Sequence, residues 1–401
     1  MNIIVQKYGG TSVESIEKMQ NITNKIINKI NQGHNVVVVA SAMGKTTNQL
    51  LKMAESISVN PCKRELDMLM STGEQVSISL LSMILKEKGY DSISLTGFQA
   101  GIRTEGVHTK NKIARVNIDN IKKHVQQGKI VVVAGFQGIN EIGDITTLGR
   151  GGSDTTAVAL AAKLECACEI YTDVEGIYSI DPRVYADAKK LEYISYEEMM
   201  EMSSLGAKVM EPRSVELGKK YNVPIYVASS HKDIKGTYIK EFDQTMEQKS
   251  ITGLSVSDNV LMITVNHVPY SPVNISDVFG RLAGQDVNID MISQTSPNQG
   301  HVNISFTTSK EDESTIDDIM RSLKGKYGGI ELQKDADITK ISVIGTGMRN
   351  ESGVASKVFK LFADHSIEFK QVTTSEISIS YTIKSKDKLR AVNMLAKTFN
   401  L

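Results

Sequence analysis

Lys7 stands at the end of an apolar stretch, NIIVQKY, and Gly9-Gly10 follow it before a helical pattern begins. A lysine there supplies a point charge for phosphate oxygens, with glycine N–H groups beside it. The plain alternative is a surface lysine. A second segment, TTLGRGGSDTTAVALAA (146–162), carries Gly149, Gly151 and Gly152, then Ser153 and Asp154. Glycine accepts backbone angles that other residues resist, so such a loop can turn several N–H groups inward. Residues 155–164 read as a buried helix whose N-terminus carries roughly half a positive charge. Arg150 adds a full positive charge, and Asp154 a carboxylate near the helix start. Together they describe a site for an anionic substrate. The competing reading is a loop with Ser153 or Asp154 as an ordinary N-cap. Glu74 lies in a polar break, STGE, within an apolar helical stretch. It suits a substrate ammonium, or else a helix surface. Residues 171–183, YTDVEGIYSIDPR, form a polar connection with turns at Gly176 and Asp181-Pro182. Such a loop could hold adenine, ribose or, through Arg183, a phosphate; a long surface connection is the alternative.

Two familiar phosphate motifs fail. A dinucleotide fingerprint counted from Gly149 needs glycine where Asp154 stands. A P-loop ending in Gly44-Lys45-Thr46 needs glycine where Val39 stands.

The spacing around these residues predicts strands over 2–8, 35–41, 91–96, 129–135, 168–173 and 224–228. It predicts helices over 13–31 and most of 63–88, and a loop at 42–47 that opens another helix. Strands alternating with helices imply an α/β fold, a mostly parallel sheet with helices on both faces. Such sheets bind ligands beyond the carboxyl ends of their strands, where the polar segments above all fall. After about residue 245 the pattern changes. Strand 259–265, helix 273–283, strands 287–292 and 301–307, helix 311–324 and strand 329–333 give the ferredoxin-like order βαββαβ. It recurs over 338–344, 353–364, 367–373, 377–383 and 386–399. Laying Val278-Phe279 on Val358-Phe359 aligns Val287 with Ile367 and Ile292 with Val372, an offset of 80 residues. The second copy lacks a final strand. The spare segment ITGLSV (251–256) is expected to supply it, so that the first copy is inserted within the second.

The 401 residues leave room for two or three domains, with 40% hydrophobic and 23% charged residues. Lys+Arg and Asp+Glu both number 46, so the formal net charge is zero, which argues against a nucleic-acid partner. Three cysteines (Cys62, Cys166, Cys168) are too few for a disulfide framework, and Cys166 and Cys168 are poorly spaced for zinc. Two buried thiols in a reducing cytosol are expected. The best apolar runs, 36–40 and 130–134, fall short of a membrane span. With a strand pattern at the start, no signal peptide is expected. A cytoplasmic protein without a membrane partner is expected.

KYGGTSV (7–13), SAMGKTTNQL (41–50), STGEQ (71–75), TLGRGGSDTTA (147–157), YTDVEGIYSIDPR (171–183) and GAKVMEPRS (206–214) together resemble the aspartokinases, in that family's order. The C-terminal repeat resembles the family's paired ACT domains, so the likeness covers essentially the whole chain. Glutamate, carbamate and uridylate kinases share the fold, but not KYGGTSV together with two ACT units. The resemblance implies an amino-acid-kinase (carbamate-kinase-like) domain at 1–245. ACT domains follow at 260–335 and 336–401, the second completed by a strand at 249–257. It implies transfer of the ATP γ-phosphoryl group to the side-chain carboxylate of L-aspartate, giving 4-phospho-L-aspartate. By match, Lys7 would neutralise the transferring group and Asp154 would organise the catalytic lysines. Ser41, Thr47, Glu74, Arg150 and Ser153 would hold or flank aspartate. Lys7, Gly9, Gly10, Thr172, Asp173, Tyr178, Arg183 and Lys208 would form the ATP pocket, with Mg²⁺ held mainly by the phosphates and no metal-ligand set of the protein's own.

The chemistry agrees with these roles. A carboxylate is ionised at pH 7, so the nucleophile needs no general base. What remains is to bring two anions together in line, which calls for Lys, Arg and N–H groups. Arg150 can grip a carboxylate bidentately, as a lysine cannot.

The resemblance also places an effector amino acid, lysine favoured over threonine, at Ser271, Asn274, Ile275, Asn288, Ile289 and Asp290. There Asp290 would receive its amino group. Lys370 stands where the second copy would need that acid, so only the first copy is expected to keep the site. Residues 374–376 would line the same interface. ACT sheet edges predict a homodimer or a dimer of dimers. No homoserine dehydrogenase segment is expected after Leu401. A silent amino-acid sensor with a relic kinase domain is the competing reading, and intact Lys7, Glu74, Arg150 and Asp154 speak against it. A kinase of another amino acid, such as glutamate, is a third.

Overall fold

The computed structural model describes residues 2–207, 209–241 and 250–401. They form two compact units. The first contains the chain up to Ile177, Lys190–Ser204 and the described residues from 209 to 241. The second contains Tyr178–Lys189, Leu205–Ala207 and the described residues from 250 onward. Two short stretches therefore fold with the C-terminal unit, where the sequence predicts a single change of character near residue 245.

The first unit opens with β1 (Ile3–Tyr8), buried from Ile4 onward, and α1 (Ile16–Asn31), capped by the Ser15 hydroxyl. The run NVVVVA becomes β2 (Asn35–Ala40), covered on both faces as an unbroken apolar strand must be. Helices α2 (Thr46–Glu55), α3 (Lys63–Met70) and α4 (Thr72–Glu87) follow, then β3 (Ser92–Leu95). Next come β4 (Ile102–Glu105), β5 (Lys112–Val116), α5 (Asp119–Gln126), β6 (Ile130–Ala134), β7 (Gln137–Ile139) and β8 (Ile145–Thr147). The unit is completed by α6 (Gly152–Leu164), β9 (Cys168–Thr172), β10 (Tyr193–Ile194), α7 (Tyr196–Ser204), α8 (Pro212–Tyr221), β11 (Ile225–Ser229) and β12 (Thr237–Ile239).

The main sheet has the order β10-β12-β11-β9-β1-β2-β6-β3; β12 runs antiparallel to β11, β10 runs parallel to β12, and the other neighbours are parallel. Ile4, Tyr8, Val36, Val38 and Val132 pack on one face against Met19, Ile22 and Ile26 of α1 and Leu81 and Leu85 of α4. Lys7 is out of phase with Ile4, Gln6 and Tyr8, so it projects to the other face, where α6 lies. From Gly152 to Ala161 every residue of α6 is buried. Its Thr, Ala and Val side chains are small enough to sit between the sheet and α8.

A second sheet, β5-β4-β7-β8, lies outside the strands that the sequence predicts. Its strands are three to five residues long, too short to show a period. The apolar runs in the sequence predict no membrane-length stretch. Lys63–Glu87 does reach that length, with a mean hydropathy of 1.3, but half of the window is buried inside the fold. Ile78, Leu81 and Leu85 of this stretch belong to the core under the main sheet. The cysteines are free: Cys168 is buried, Cys166 half-buried and Cys62 exposed.

The second unit holds two four-stranded sheets. In one, β14 (Leu261–Pro269), α9 (Pro272–Ala283), β15 (Asp290–Gln294), β16 (His301–Thr308), α10 (Glu313–Tyr327) and β17 (Glu331–Asp335) give the order β15-β16-β14-β17. In the other, β18 (Ile338–Ile344), α11 (Val354–Asp364), β19 (Phe369–Thr374), β20 (Ser378–Lys384) and α12 (Lys388–Phe399) repeat the pattern. Its last strand comes from earlier in the chain. β13 (Gly253–Ser257) runs antiparallel along β18, Leu254 opposite Val343 and Val256 opposite Ile341. A strand of this type has apolar residues to bury, and this edge offers the core of Ile341, Val343, Val358 and Leu395. The two sheets touch where Gln371 of β19 donates to Ser293 Oγ at 3.1 Å and to the Met291 carbonyl of β15.

Candidate active site

The carboxyl ends of five strands converge in the first unit. Ser41 N donates to the Tyr8 carbonyl at 3.1 Å, and Gly135 N to the Ala40 carbonyl at 3.0 Å. Gly9 N donates to Tyr171 O at 3.2 Å, and Ser230 N to Thr172 O at 2.8 Å. The loops after β1, β2, β6, β9 and β11 are thereby tied into one rim. Glycines make this approach physically allowed. A Cβ on Gly10 would lie 2.9 Å from the Ala42 carbonyl oxygen, and one on Gly135 would lie 2.7 Å from Ser153 Oγ. Such distances exclude any side chain unless the neighbour moves. Gly135→Ala should therefore push Ser153 and the start of α6 away. A displacement of about 1 Å at a reacting site can cost roughly 100-fold, so initial rates should fall at least tenfold. A rate within twofold of the parent would refute this packing.

At the centre, Lys7 Nζ lies 2.6 Å from Asp154 Oδ1, both side chains almost wholly buried. The contact is an ion pair, and Oδ1 has no aligned hydrogen-bond donor. Asp154 sits in the first turn of α6 after Gly151, whose φ of +63° is left-handed. A Cβ on Gly151 would also collide with Glu211, 2.3 Å away. Gly9 lies beside the ammonium, 3.4 Å from the position of its Cβ. The first unit thus presents a lysine, a carboxylate, a glycine turn and a helix N-terminus together, an arrangement fit for phosphoryl oxygens.

Glu74 lies in the first turn of α4 and is buried. Its Oε1 accepts from Ala42 N at 3.1 Å, while Oε2 is buried with no partner among the described residues. Burial pushes its pKa up to about 8, against the pull of the Ala42 and Glu74 backbone N–H groups. A buried carboxylate oxygen without a donor is costly and becomes favourable when a cation arrives. Glu211 is likewise raised, first by burial and then by Asp154, with Arg150 and Arg213 opposing.

Residues 2–229 match the amino acid kinase family, and residues 341–399 match the ACT domain. An aspartokinase of Geobacillus stearothermophilus is 46% identical over 403 residues, covering 100% of this chain and 98% of its own. The chain belongs to the aspartokinase family. It is an enzyme, an aspartate kinase, and it carries an ACT regulatory unit. Aspartokinase III of E. coli, solved in complex with aspartate and ADP in the R-state, has the same fold, with a TM-score of 0.82 at 24% identity over 100% of both chains. Solved with lysine and aspartate in the T-state, that protein gives a TM-score of 0.79 at 23% identity, again over 100% of both chains.

Within this aspartokinase the first unit gathers Lys7, Gly9, Gly10, Ser41, Glu74, Ser153 and Asp154 along one rim. Thr47 lies in the first turn of α2, and Arg150 is exposed in the loop before α6. Thr172 ends β9, its hydroxyl donating to Asp173 Oδ1 at 3.0 Å. Tyr178 and Arg183 belong to the second unit. There the Arg183 side chain is 81% exposed and doubly bonded to Asp181, at 3.0 and 2.6 Å. Lys208 lies outside the described residues. In the ACT unit Ser271 caps α9, accepting from Asn274 N at 3.1 Å, and Asn274 Nδ2 donates to Pro269 O. Ile275 and Ile289 pack against the core of their sheet, and the Asn288 carbonyl accepts from Thr308. Asp290 Oδ2 is held by the Lys340 ammonium, and Lys370 by Asp335. Two residues not singled out from the sequence also matter: Asp67, wholly buried in α3, and Arg213, whose guanidinium donates to the Leu148 and Asn111 carbonyls at 3.0 and 2.9 Å. A lone acid among Leu66, Met68, Leu69 and Met70 was the available signal for Asp67.

Proposed function

We propose that the enzyme transfers the γ-phosphoryl group of ATP to the side-chain carboxylate of L-aspartate, giving 4-phospho-L-aspartate and ADP. This is the entry step towards lysine, threonine and methionine. The observation that carries the reading is the buried Lys7–Asp154 pair at the end of β1, with the unpartnered oxygen of Glu74's carboxylate held by the loop after the neighbouring strand β2. The ADP, aspartate and lysine in the solved complexes of the E. coli relative agree with it.

A carboxylate oxygen of aspartate attacks the γ-phosphorus, the bond from that phosphorus to the bridging oxygen breaks, and ADP departs with the electron pair. The nucleophile is already ionised, so no residue has to remove a proton. Lys7 neutralises the phosphoryl oxygens, and Asp154 orients Lys7. Glu74 receives the α-ammonium, and Arg150 the α-carboxylate, with Ser41, Thr47 and Ser153 beside them. Gly9 and Gly10 offer N–H groups to the phosphates, and Thr172 and Asp173, at the end of β9, serve the nucleotide. Mg²⁺, when bound with the nucleotide, supplies charge neutralisation. In this reading the phosphates are its main ligands. The kinase domain spans 1–245 and the ACT domains 260–335 and 336–401, the last completed by 249–257. The enzyme works in the cytoplasm as a homodimer or dimer of dimers.

Trapping the acyl phosphate with hydroxylamine tests the reaction. A hydroxamate that requires aspartate, ATP and Mg²⁺ supports it. No hydroxamate from aspartate, with lysine still bound, favours a sensor instead.

The effector site is proposed at Ser271, Asn274, Ile275 and Asn288–Asp290, with lysine as ligand. Asp290 carries the charge for the amino group, and Lys340 already occupies it. An entering lysine must displace or share that ammonium. Hydrogen bonds to charged groups contribute roughly 1.5–3 kcal/mol, so Asp290→Ala should raise the half-inhibitory lysine concentration about tenfold or more and spare uninhibited turnover. Unchanged inhibition would remove Asp290 from the site.

A further inference from the structure

Asp67 is wholly buried, lies on α3, and takes no part in the chemistry above. A buried carboxylate is retained only with its acceptors filled. Here four contacts fill them. His108 Nδ1 lies 2.7 Å from Oδ2, and Thr109 N donates to both oxygens at 3.1 Å. The Thr147 hydroxyl donates to Oδ1 at 2.5 Å. His108 is steadied in turn by Asp144, 3.8 Å from Nε2, and Asp144 accepts from Arg64 Nε at 3.1 Å.

Two segments that are distant in the chain meet on this carboxylate: the loop around residues 107–111, and the end of β8. Both lead to the glycine loop. Asn111 N donates to Thr147 O at 3.0 Å, Arg213 bonds the Leu148 carbonyl, and Leu148 N donates to Phe136 O at 2.9 Å. The Thr109 carbonyl lies 3.2 Å from where a Cβ on Gly149 would be. Leu148 is thus pinned on one side of Arg150, and Gly152, the start of α6, on the other. Arg150 stands two residues from each anchor.

We infer that Asp67 is a positioning residue for the aspartate kinase reaction. It acts through Thr147 and Thr109 to hold the loop that carries Arg150, and so sets the affinity for the amino-acid substrate. The inference rests on the proposal that Arg150 grips the aspartate carboxylate. A purely structural role would weaken the fold and disturb both substrates alike.

The test compares Thr147→Val, which removes the hydroxyl at constant shape, with Thr147→Ser, which keeps it. Thr147→Val should raise KM for aspartate about tenfold, leave KM for ATP within twofold, and change the melting temperature little. Thr147→Ser should restore KM for aspartate to within twofold of the parent. Asp67→Asn should follow Thr147→Val if it folds. Equal changes in both KM values, or a fall in melting temperature alone, would overturn the inference. Arg150→Ala is assayed alongside. An unchanged aspartate KM there would mean that the role proposed for Arg150 has failed, and the positioning of the loop would then be judged on the Thr147 pair.

Discussion

Lys7→Ala lowers kcat by at least a hundredfold while the protein stays folded. Removing one preorganised donor from a charge-stabilising site costs roughly 2.7–4 kcal/mol of transition-state stabilisation. Lys7 is such a donor: its ammonium is buried at the end of β1 and held 2.6 Å from Asp154. Phosphoryl transfer to a carboxylate has no proton step to share the burden, so charge neutralisation carries the barrier. The loss should appear in kcat as well as kcat/KM, because the charge on the phosphoryl oxygens is redistributed in the transition state. Removing Lys7 also leaves Asp154 buried without its cation. Asp154→Asn in the same background should then cost far less than it does in the parent, since two residues acting as a unit are not additive. Steady-state kinetics of the two single variants and the double variant decide this. Turnover within threefold of the parent in Lys7→Ala would refute the assignment.

The second large effect is on aspartate binding and its pH dependence. Burial raises the Glu74 carboxyl to about 8, so at pH 7 most molecules without substrate carry it protonated. The substrate ammonium needs the ionised form, so binding near neutral pH releases a proton. KM for aspartate should fall as pH rises, roughly tenfold per pH unit below 8 and levelling above it. Calorimetry in buffers of different ionisation enthalpy should detect the released proton. Glu74→Gln should raise KM by roughly 30-fold or more, the lower end of what truncating one partner of a buried charge pair costs, and abolish the pH dependence.

Stability moves the other way. Between the ordinary carboxyl value and about 8, the folded chain keeps a proton that the unfolded chain has lost, so folding weakens as pH rises through that window. The displacement is worth at most roughly 5 kcal/mol. Glu74→Gln without aspartate should melt higher than the parent at pH 9 and close to it at pH 5. A pH-independent aspartate KM in the parent, with equal melting at pH 9, would show that Glu74 is ionised before substrate arrives.

Much of the architecture is written locally. NVVVVA can only be a doubly covered strand, and the buried residues of β2 bear that reading. The α6 pattern of small residues after a glycine turn predicts a buried helix, which it is. The ferredoxin-like order of the C-terminal copies follows from alternating strand and helix periods that repeat at one spacing. The order of the polar motifs identifies the family, since each motif is contiguous. These features survive because they depend on neighbours within a few residues, where periodicity and turn chemistry are decided.

Tertiary structure decided what depends on contact between distant segments. The pairing of Lys7 with Asp154 follows from the register of β1 against β2 and β9, which turns Lys7 towards α6. The orphaned Glu74 oxygen exists because α4 begins against the loop after β2, a packing that no window of sequence contains. Asp67 reads as one more acid on a helix until the end of β8 and the loop at 107–111 close over it. The short strands β4, β5, β7 and β8 carry too few residues for a period and take their form from pairing with one another. Lys340 finds Asp290 only because the two C-terminal sheets meet. Residues 178–183, the second half of the polar connection 171–183, fold with the second unit, where Ile180 enters a core. Local periodicity determined which elements form. Burial between elements far apart in the chain decided which side chains meet, and those meetings hold the charges on which the chemistry depends.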